Sequence, residues 1–321
     1  MSHVIPHILP SRLPAGVSVV VPVYNAEQSL RILTDRLVKL LRETGKDFEI
    51  LFVDDGSRDN SWNVIGALAA SHPFVRGFQM MRNYGQHNAL LCGIMRARYS
   101  VVVTMDDDLQ NPPEEVPKLL AKLDSGLDVV YGVPERETHG LLRDLASQIT
   151  KITLQRAMGA QTARHVSAFR AFRTQLRWAF ENYRGSYVSI DVLLTWGTAN
   201  FGMLHVKQAP RIAGTSSYTV GKLLTHALNM ITGFTTIPLQ FASIVGLVFT
   251  CFGLFVLCFV LLRYLLQGSM VPGFPFLASL ITIFSGAQLF ALGIFGEYLA
   301  RIHLRTMDRP SYAVRSTTEL P

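Results

Sequence analysis

The chain has 321 residues, enough for one large domain with an appendage or for two domains. Its hydrophobic share of 49% and mean hydropathy of +0.26 are high for a soluble protein, and its charged share of 17% lies below the roughly 25% of globular domains. The net charge of +7 fits either nucleic acid or an anionic membrane face. Long apolar runs crowd the last third, so a lipid bilayer is the expected partner and no nucleic acid is. Cys92, Cys251 and Cys258 have no metal-ligand spacing and two of them lie in an apolar run, which argues against a disulfide scaffold and fits a reducing compartment.

Residues 1–16, with Pro6, Pro10 and Pro14, read as an extended lead-in without the apolar core of a signal peptide. Val17 to Pro22 is a short apolar run of strand type. Leu30, Leu33, Leu37, Leu40 and Leu41 then recur at helical spacing until Gly45. Phe48 to Val53 predicts a second strand that ends in Asp54 and Asp55, and Ser57 or Asp59 is placed to cap a helix from about Asn60 to Ala70. Val75 to Met80 predicts a third strand, followed by Arg82 to His87 and a helix through about Arg98. Val101 to Thr104 is the fourth strand, and it runs into Asp106, Asp107 and Asp108.

Four alternations of strand and helix predict a parallel α/β sheet, in which ligands bind beyond the carboxyl ends of the strands. Polar or acidic clusters fall at three such ends: Tyr24-Asn25, Asp54-Asp55 and Asp106 to Asp108. An isolated acidic triplet also suits a solvated turn, but the coincidence of three clusters favours a site. Period-two geometry sends Asp106 and Asp108 to one side and Asp107 to the other. Two such carboxylates suit Mg²⁺ or Mn²⁺, which are held by one or two carboxylates plus substrate phosphates. No glycine-rich dinucleotide fingerprint or GK[ST] loop follows any strand.

From about Gly126 the pattern loosens. Asp128 to Gly132 predicts a short strand, Leu176 to Tyr183 a helix and Phe201 to Val206 an edge strand. Residues 216–236 read as an amphipathic helix along the membrane surface, although the pattern fits a core-facing helix equally well. Leu239 to Leu262 and Phe274 to Gly296 carry no charge, and each exceeds the roughly 20 residues that cross a bilayer. Lys207, Arg211 and Lys222 precede the pair, Arg301, Arg305 and Arg309 follow it, and the linker holds neither Lys nor Arg. The positive-inside rule therefore puts both flanks in the cytoplasm, with Arg263 counting mildly against. Residues 17–215 read as the catalytic domain, 237–297 as the membrane hairpin and 298–321 as a basic cytoplasmic tail.

The strings Val20 to Glu27 (VVPVYNAE), Asp54 to Ser61 (DDGSRDNS), Arg82 to His87 (RNYGQH) and Asp106 to Glu115 (DDDLQNPPEE) resemble glycosyltransferase family 2 and its GT-A, Rossmann-like nucleotide-sugar fold. Ser167 to Arg170, the two-span hairpin and Gly296 to His303 are similar to the polyprenyl-phosphate branch, which includes dolichol-phosphate mannose synthase, bactoprenol glucosyl transferases and undecaprenyl-phosphate 4-deoxy-4-formamido-L-arabinose transferase. NYGQH together with LQNPPEE leans toward the last. The resemblance implies transfer of a single sugar from a nucleotide donor, with UDP as the expected nucleotide, to a polyprenyl phosphate, and a homo-oligomer such as a tetramer. It implies that Pro22, Tyr24, Asn25 and Glu27 frame base and ribose, and that Asp54 or Asp55 bonds the uracil or ribose. It assigns Asp106, Asp108 and Gln110 to the metal and donor diphosphate. Arg136, Arg143, Arg170 and Arg211 are implied as phosphate contacts. Relatives often carry an acid near Arg164, His165 and Ala168, and a lysine where Ser217 stands; neither is present here. A processive enzyme would need more spans, and a non-catalytic lipid-carrier component would not need Asp106, Asp108 and Gln110 intact.

Overall fold

The computed structural model describes residues 13–134, 166–185, 188–209, 237–267 and 273–319. Arg136, Arg143, Arg211 and the helix expected over 216–236 lie outside them. Contacts divide the chain into two units, with a boundary between Asp308 and Arg309 that returns the C-terminal segment to the first unit.

The first unit is built on β1 (Val17–Val23), whose seven residues are all buried. β2 (Phe48–Asp54) and β4 (Val101–Thr104) flank it in parallel, with Val17 opposite both Phe48 and Val101, and β3 (Val75–Met80) pairs with β2. A β-branched run suits this position because both faces of a parallel sheet are covered. The alternation is visible in the packing. Val19, Val21, Ile50 and Phe52 face a core shared with α1 (Leu30–Glu43), α2 (Ser61–Ser71) and α4 (Val116–Asp124). Val20, Leu51 and Val53 face the opposite core with α3 (Gln86–Arg96) and the helix Ile190–Gly197. Gly93 lets α3 come close, since a Cβ there would stand 2.4 Å from Val20 Cγ1.

The sheet is mixed, not wholly parallel. Its order is β7-β5-β6-β4-β1-β2-β3-β8, where β5 is Val129–Pro134, β6 is Arg170–Arg173, β7 is Phe201–Val206 and β8 is Val314–Thr317. β6 runs antiparallel between β4 and β5, and β8 runs antiparallel to β3. The segment expected as a helix from Leu176 is instead a 3-10 run, Thr174–Phe180, that leaves β6 directly. The basic tail expected over 298–321 is corrected at both ends. The second apolar helix continues to Thr306, and β8 then covers the outer edge of β3. An uncovered edge strand would leave a row of backbone donors and acceptors unpaired.

The second unit holds two long helices, Ile237–Gln267 and Phe274–Thr306. Their stretches Pro238–Arg263 and Ile283–Thr306 are long and apolar enough to cross a membrane, and neither is buried as a soluble core helix would be. The rings of Phe249 and Phe284 meet edge-on at 5.8 Å between them.

Candidate active site

The loops after β1 and β2 are interlocked. Asn25 sits at φ +54°, a left-handed conformation that asparagine tolerates. Its N–H donates to Ser57 Oγ (3.0 Å), and its Oδ1 accepts from the Arg58 N–H (2.8 Å). Glu27 Oε2 accepts from the Asn60 N–H (3.0 Å), while the Glu27 N–H donates to Asp59 Oδ2 (3.1 Å). The side chains of Asn25 and Glu27 therefore brace this rim of the site.

Pro22 explains how the rim opens. The Val20 carbonyl accepts from the Met105 N–H, so Val20 and, two residues on, Pro22 face β4. Pairing between β1 and β4 ends at Val20 and Thr104, so the donor that proline lacks falls where β4 has already parted from β1.

The three aspartates diverge into the gap. Asp106 Oδ1 accepts from Gln86 Nε2 at the start of α3 (2.6 Å). Asp107 Oδ2 accepts from the Tyr24 N–H (3.2 Å). Asp108 Oδ1 accepts from the Gln110 N–H (3.1 Å) across Leu109, which is buried at φ +59°. The Gln110 carbonyl in turn holds the Ala209 N–H at 2.9 Å. Gln86 was visible within the RNYGQH string, but nothing in the string signals its bond to Asp106.

Asp54 and Asp55, interchangeable in sequence, separate clearly. Both oxygens of Asp55 are engaged by backbone, Oδ1 by the Tyr84 N–H (2.7 Å) and Oδ2 by the Gly85 N–H (2.9 Å). Burial pushes its carboxyl up to about 6 despite those bonds. Asp54 is buried too; its Oδ1 accepts from the Ser57 N–H, but its Oδ2 has no hydrogen-bond partner among the described residues. Such an atom is rare in a folded interior and calls for a partner.

Loss of water and the charges of Asp106 and Asp108 push the Asp107 carboxyl up to about 7. The folded chain thus keeps this proton well above the ordinary 3.8, so its contribution to stability is full at low pH and is lost as pH rises through about 7. Asp107→Asn imitates the neutral form. In metal-free protein it is expected to raise the unfolding temperature at about pH 8, with the gap to wild type closing toward about pH 4. Thermal melts across that range check it, and a gap that stayed constant with pH would contradict it.

Arg170 is corrected. It is 1% exposed, and its guanidinium pairs with Asp191, donates from Nε to Thr104 Oγ1 (3.2 Å) and lies over the Tyr131 ring. Tyr131 completes the group by donating to Asp191 Oδ1 (3.1 Å). An arginine so enclosed fastens β6 to β4 instead of standing at the surface. Asp191 was missed in the sequence, although a single acid inside the apolar stretch Val188 to Trp196 is the signature of a buried charge partner. His87 Nδ1 accepts from the Ile190 N–H at 3.3 Å.

Asp106 and Asp108 fit a hard divalent cation as a pair of carboxylates from one turn. Among the described residues there is no cluster of three or more His, Cys, Asp or Glu that could hold a metal.

A mixed α/β sheet with carboxylates gathered beyond the ends of β1, β2 and β4 is the GT-A arrangement of glycosyltransferases. Residues 18–180 match the family model for glycosyl transferase family 2, and the chain belongs to that family. It is 37% identical over 304 residues to the undecaprenyl-phosphate 4-deoxy-4-formamido-L-arabinose transferase of Shewanella sediminis (strain HAW-EB3), covering 93% of this chain and 91% of that protein. To the protein of the same name from Pectobacterium carotovorum subsp. carotovorum (strain PC1) it is 36% identical over 306 residues, covering 94% and 93%. Among solved structures it is similar to glucosyl-3-phosphoglycerate synthase from Mycobacterium tuberculosis in complex with Mn²⁺, UDP and glucosyl-3-phosphoglycerate. The TM-score is 0.51 at 18% identity, over 68% of this chain and 78% of that one, a likeness of fold.

Proposed function

We propose that this glycosyltransferase moves one sugar from a UDP-sugar to undecaprenyl phosphate at the cytoplasmic membrane face, inverting the anomeric carbon. The observation that carries the reading is the carboxyl end of the sheet, where Asp106, Asp107 and Asp108 follow β4 and Asp107 Oδ2 accepts from the Tyr24 N–H just after β1. Tyr24, 46% exposed at the end of β1, offers an aromatic surface to the base. Asp106 and Asp108, with Gln110, would hold Mg²⁺ or Mn²⁺. The cation supplies positive charge to the departing nucleoside diphosphate.

A lipid monophosphate, with a second pKa near ~6, is largely a dianion at neutral pH and needs no general base. The absence of an acid near Ala168 is then no obstacle. What the acceptor does need is positive charge, which we assign to Arg136, Arg143 and Arg211, arginine's planar fork being suited to phosphate. Membrane topology supports the same picture. β8, after the second apolar helix, shares a sheet with strands that precede the first, so both flanks of the hairpin belong on one side of the bilayer. The surrounding lysines and arginines favour the cytoplasmic side.

The test is a transfer assay in detergent with undecaprenyl phosphate, Mn²⁺ or Mg²⁺, and a panel of UDP-sugars led by UDP-4-deoxy-4-formamido-L-arabinose. Formation of a singly glycosylated lipid is expected with one donor. Transfer to a protein, or a growing polysaccharide, would contradict the reading.

A further inference from the structure

The chain leaves the second apolar helix and returns to the catalytic sheet through residues 311–319, which touch it at every step. Met81 donates its N–H to the Ala313 carbonyl, and β8 then pairs Val314 with Met80 and Thr317 with Phe78. Thr318 closes the ladder on Gly77, exchanging bonds of 2.8 and 3.0 Å. Glu319 accepts from Arg76 Nε (2.6 Å) and from the Arg98 guanidinium (2.7 Å), and Arg76 also pairs with the buried Glu49 at 2.6 Å.

The same segment grips α3. Asn88 Nδ2 donates to the carbonyl of buried Ser311 (2.6 Å), and Arg96 donates to the Tyr312 hydroxyl (3.0 Å) while facing its ring. Asn88 lies two residues from Gln86, whose amide holds Asp106 Oδ1. Other fixings at the head of α3 include the Asp55 bonds to Tyr84 and Gly85 and the bond from the Ile190 N–H to His87 Nδ1. The head of α3 is thus seated from one side by the loop after β2 and from another by a segment arriving from the membrane helix.

We propose that residues 311–319 are a positioning strap for the donor site: they set α3 and, through Gln86, the Asp106 carboxylate. The inference rests on the donor-site reading given above. It assigns Ser311, Tyr312 and Asn88 a role in metal and nucleotide binding although none of them touches either. A segment that only stabilised the sheet would lower the melting temperature and leave the site's affinity unchanged.

Full-length protein in detergent is titrated with UDP in the presence of Mn²⁺, and its unfolding temperature is recorded. Asn88→Ala and Tyr312→Phe are each made alone and in a Gln86→Ala background. Each removes one hydrogen bond, so each alone is expected to weaken UDP binding by about threefold to tenfold. In the Gln86→Ala background the same changes are expected to have little further effect, because the path runs through that amide. Should Asn88→Ala fail to fold, Tyr312→Phe, which deletes a single hydroxyl, carries the comparison alone. Equal weakening with and without Gln86, or a lower unfolding temperature with unchanged affinity, overturns the strap. A wild type that binds no UDP with Mn²⁺ overturns the donor-site reading and the strap with it, whereas wild-type binding that the variants leave untouched overturns the strap alone.

Discussion

Asp108→Ala is expected to cut sugar transfer by about a hundredfold to a thousandfold, the range seen when a group that stabilises developing negative charge is removed. Two contributions separate experimentally. Asp108 Oδ1 caps the turn through the Gln110 N–H, so alanine loses both the proposed metal ligand and a backbone acceptor. Asp108→Asn keeps an acceptor oxygen in that place and removes the charge. If the metal role dominates, the asparagine variant should lose nearly as much rate as the alanine one, and raised Mn²⁺ should recover part of it. If the turn dominates, asparagine should be close to wild type. Initial rates at several Mn²⁺ concentrations, with thermal melts alongside, decide between them.

Arg170→Ala carries the largest expected effect on stability. Breaking one half of a buried ion pair leaves the other charge without compensation, a loss of about 3–5 kcal/mol. Here the stranded group would be Asp191, with Thr104 and Tyr131 losing their shared partner as well. Asp191→Asn should destabilise in the same direction, and replacing both residues by apolar side chains of similar volume should recover much of the loss. A phosphate-binding arginine would behave differently: its removal would raise the KM for undecaprenyl phosphate and leave the melt unmoved. Thermal unfolding of the single and double variants distinguishes the two.

The sequence carried the central strands, the two apolar helices and the strand-end aspartates because each is a local pattern. Val17 to Pro22 and Val101 to Thr104 are unbroken apolar or β-branched runs, and the aspartates follow them directly. β6 and β8 were hidden by length. Four residues give no usable period, and Arg170 and Arg315 make both strands look like exposed basic segments. Partnership was hidden by distance along the chain. Arg170 reads as a phosphate ligand until Asp191 is seen beside it, and nothing in the local sequence pairs Arg76 with Glu49 and Glu319. Asp54 and Asp55 are adjacent and chemically identical, and only the fold of residues 82–85 engages both oxygens of Asp55 and leaves one of Asp54 unpartnered.

The measurement that tests the account most directly is a calorimetric titration of the full-length protein with UDP, with and without Mn²⁺. A metal-dependent donor site predicts saturable binding with the metal, marked weakening when the metal is chelated, and the same weakening in Asp108→Ala with the metal present. UDP binding indifferent to both Mn²⁺ and Asp108, or no binding at all, would contradict a donor site built on these aspartates.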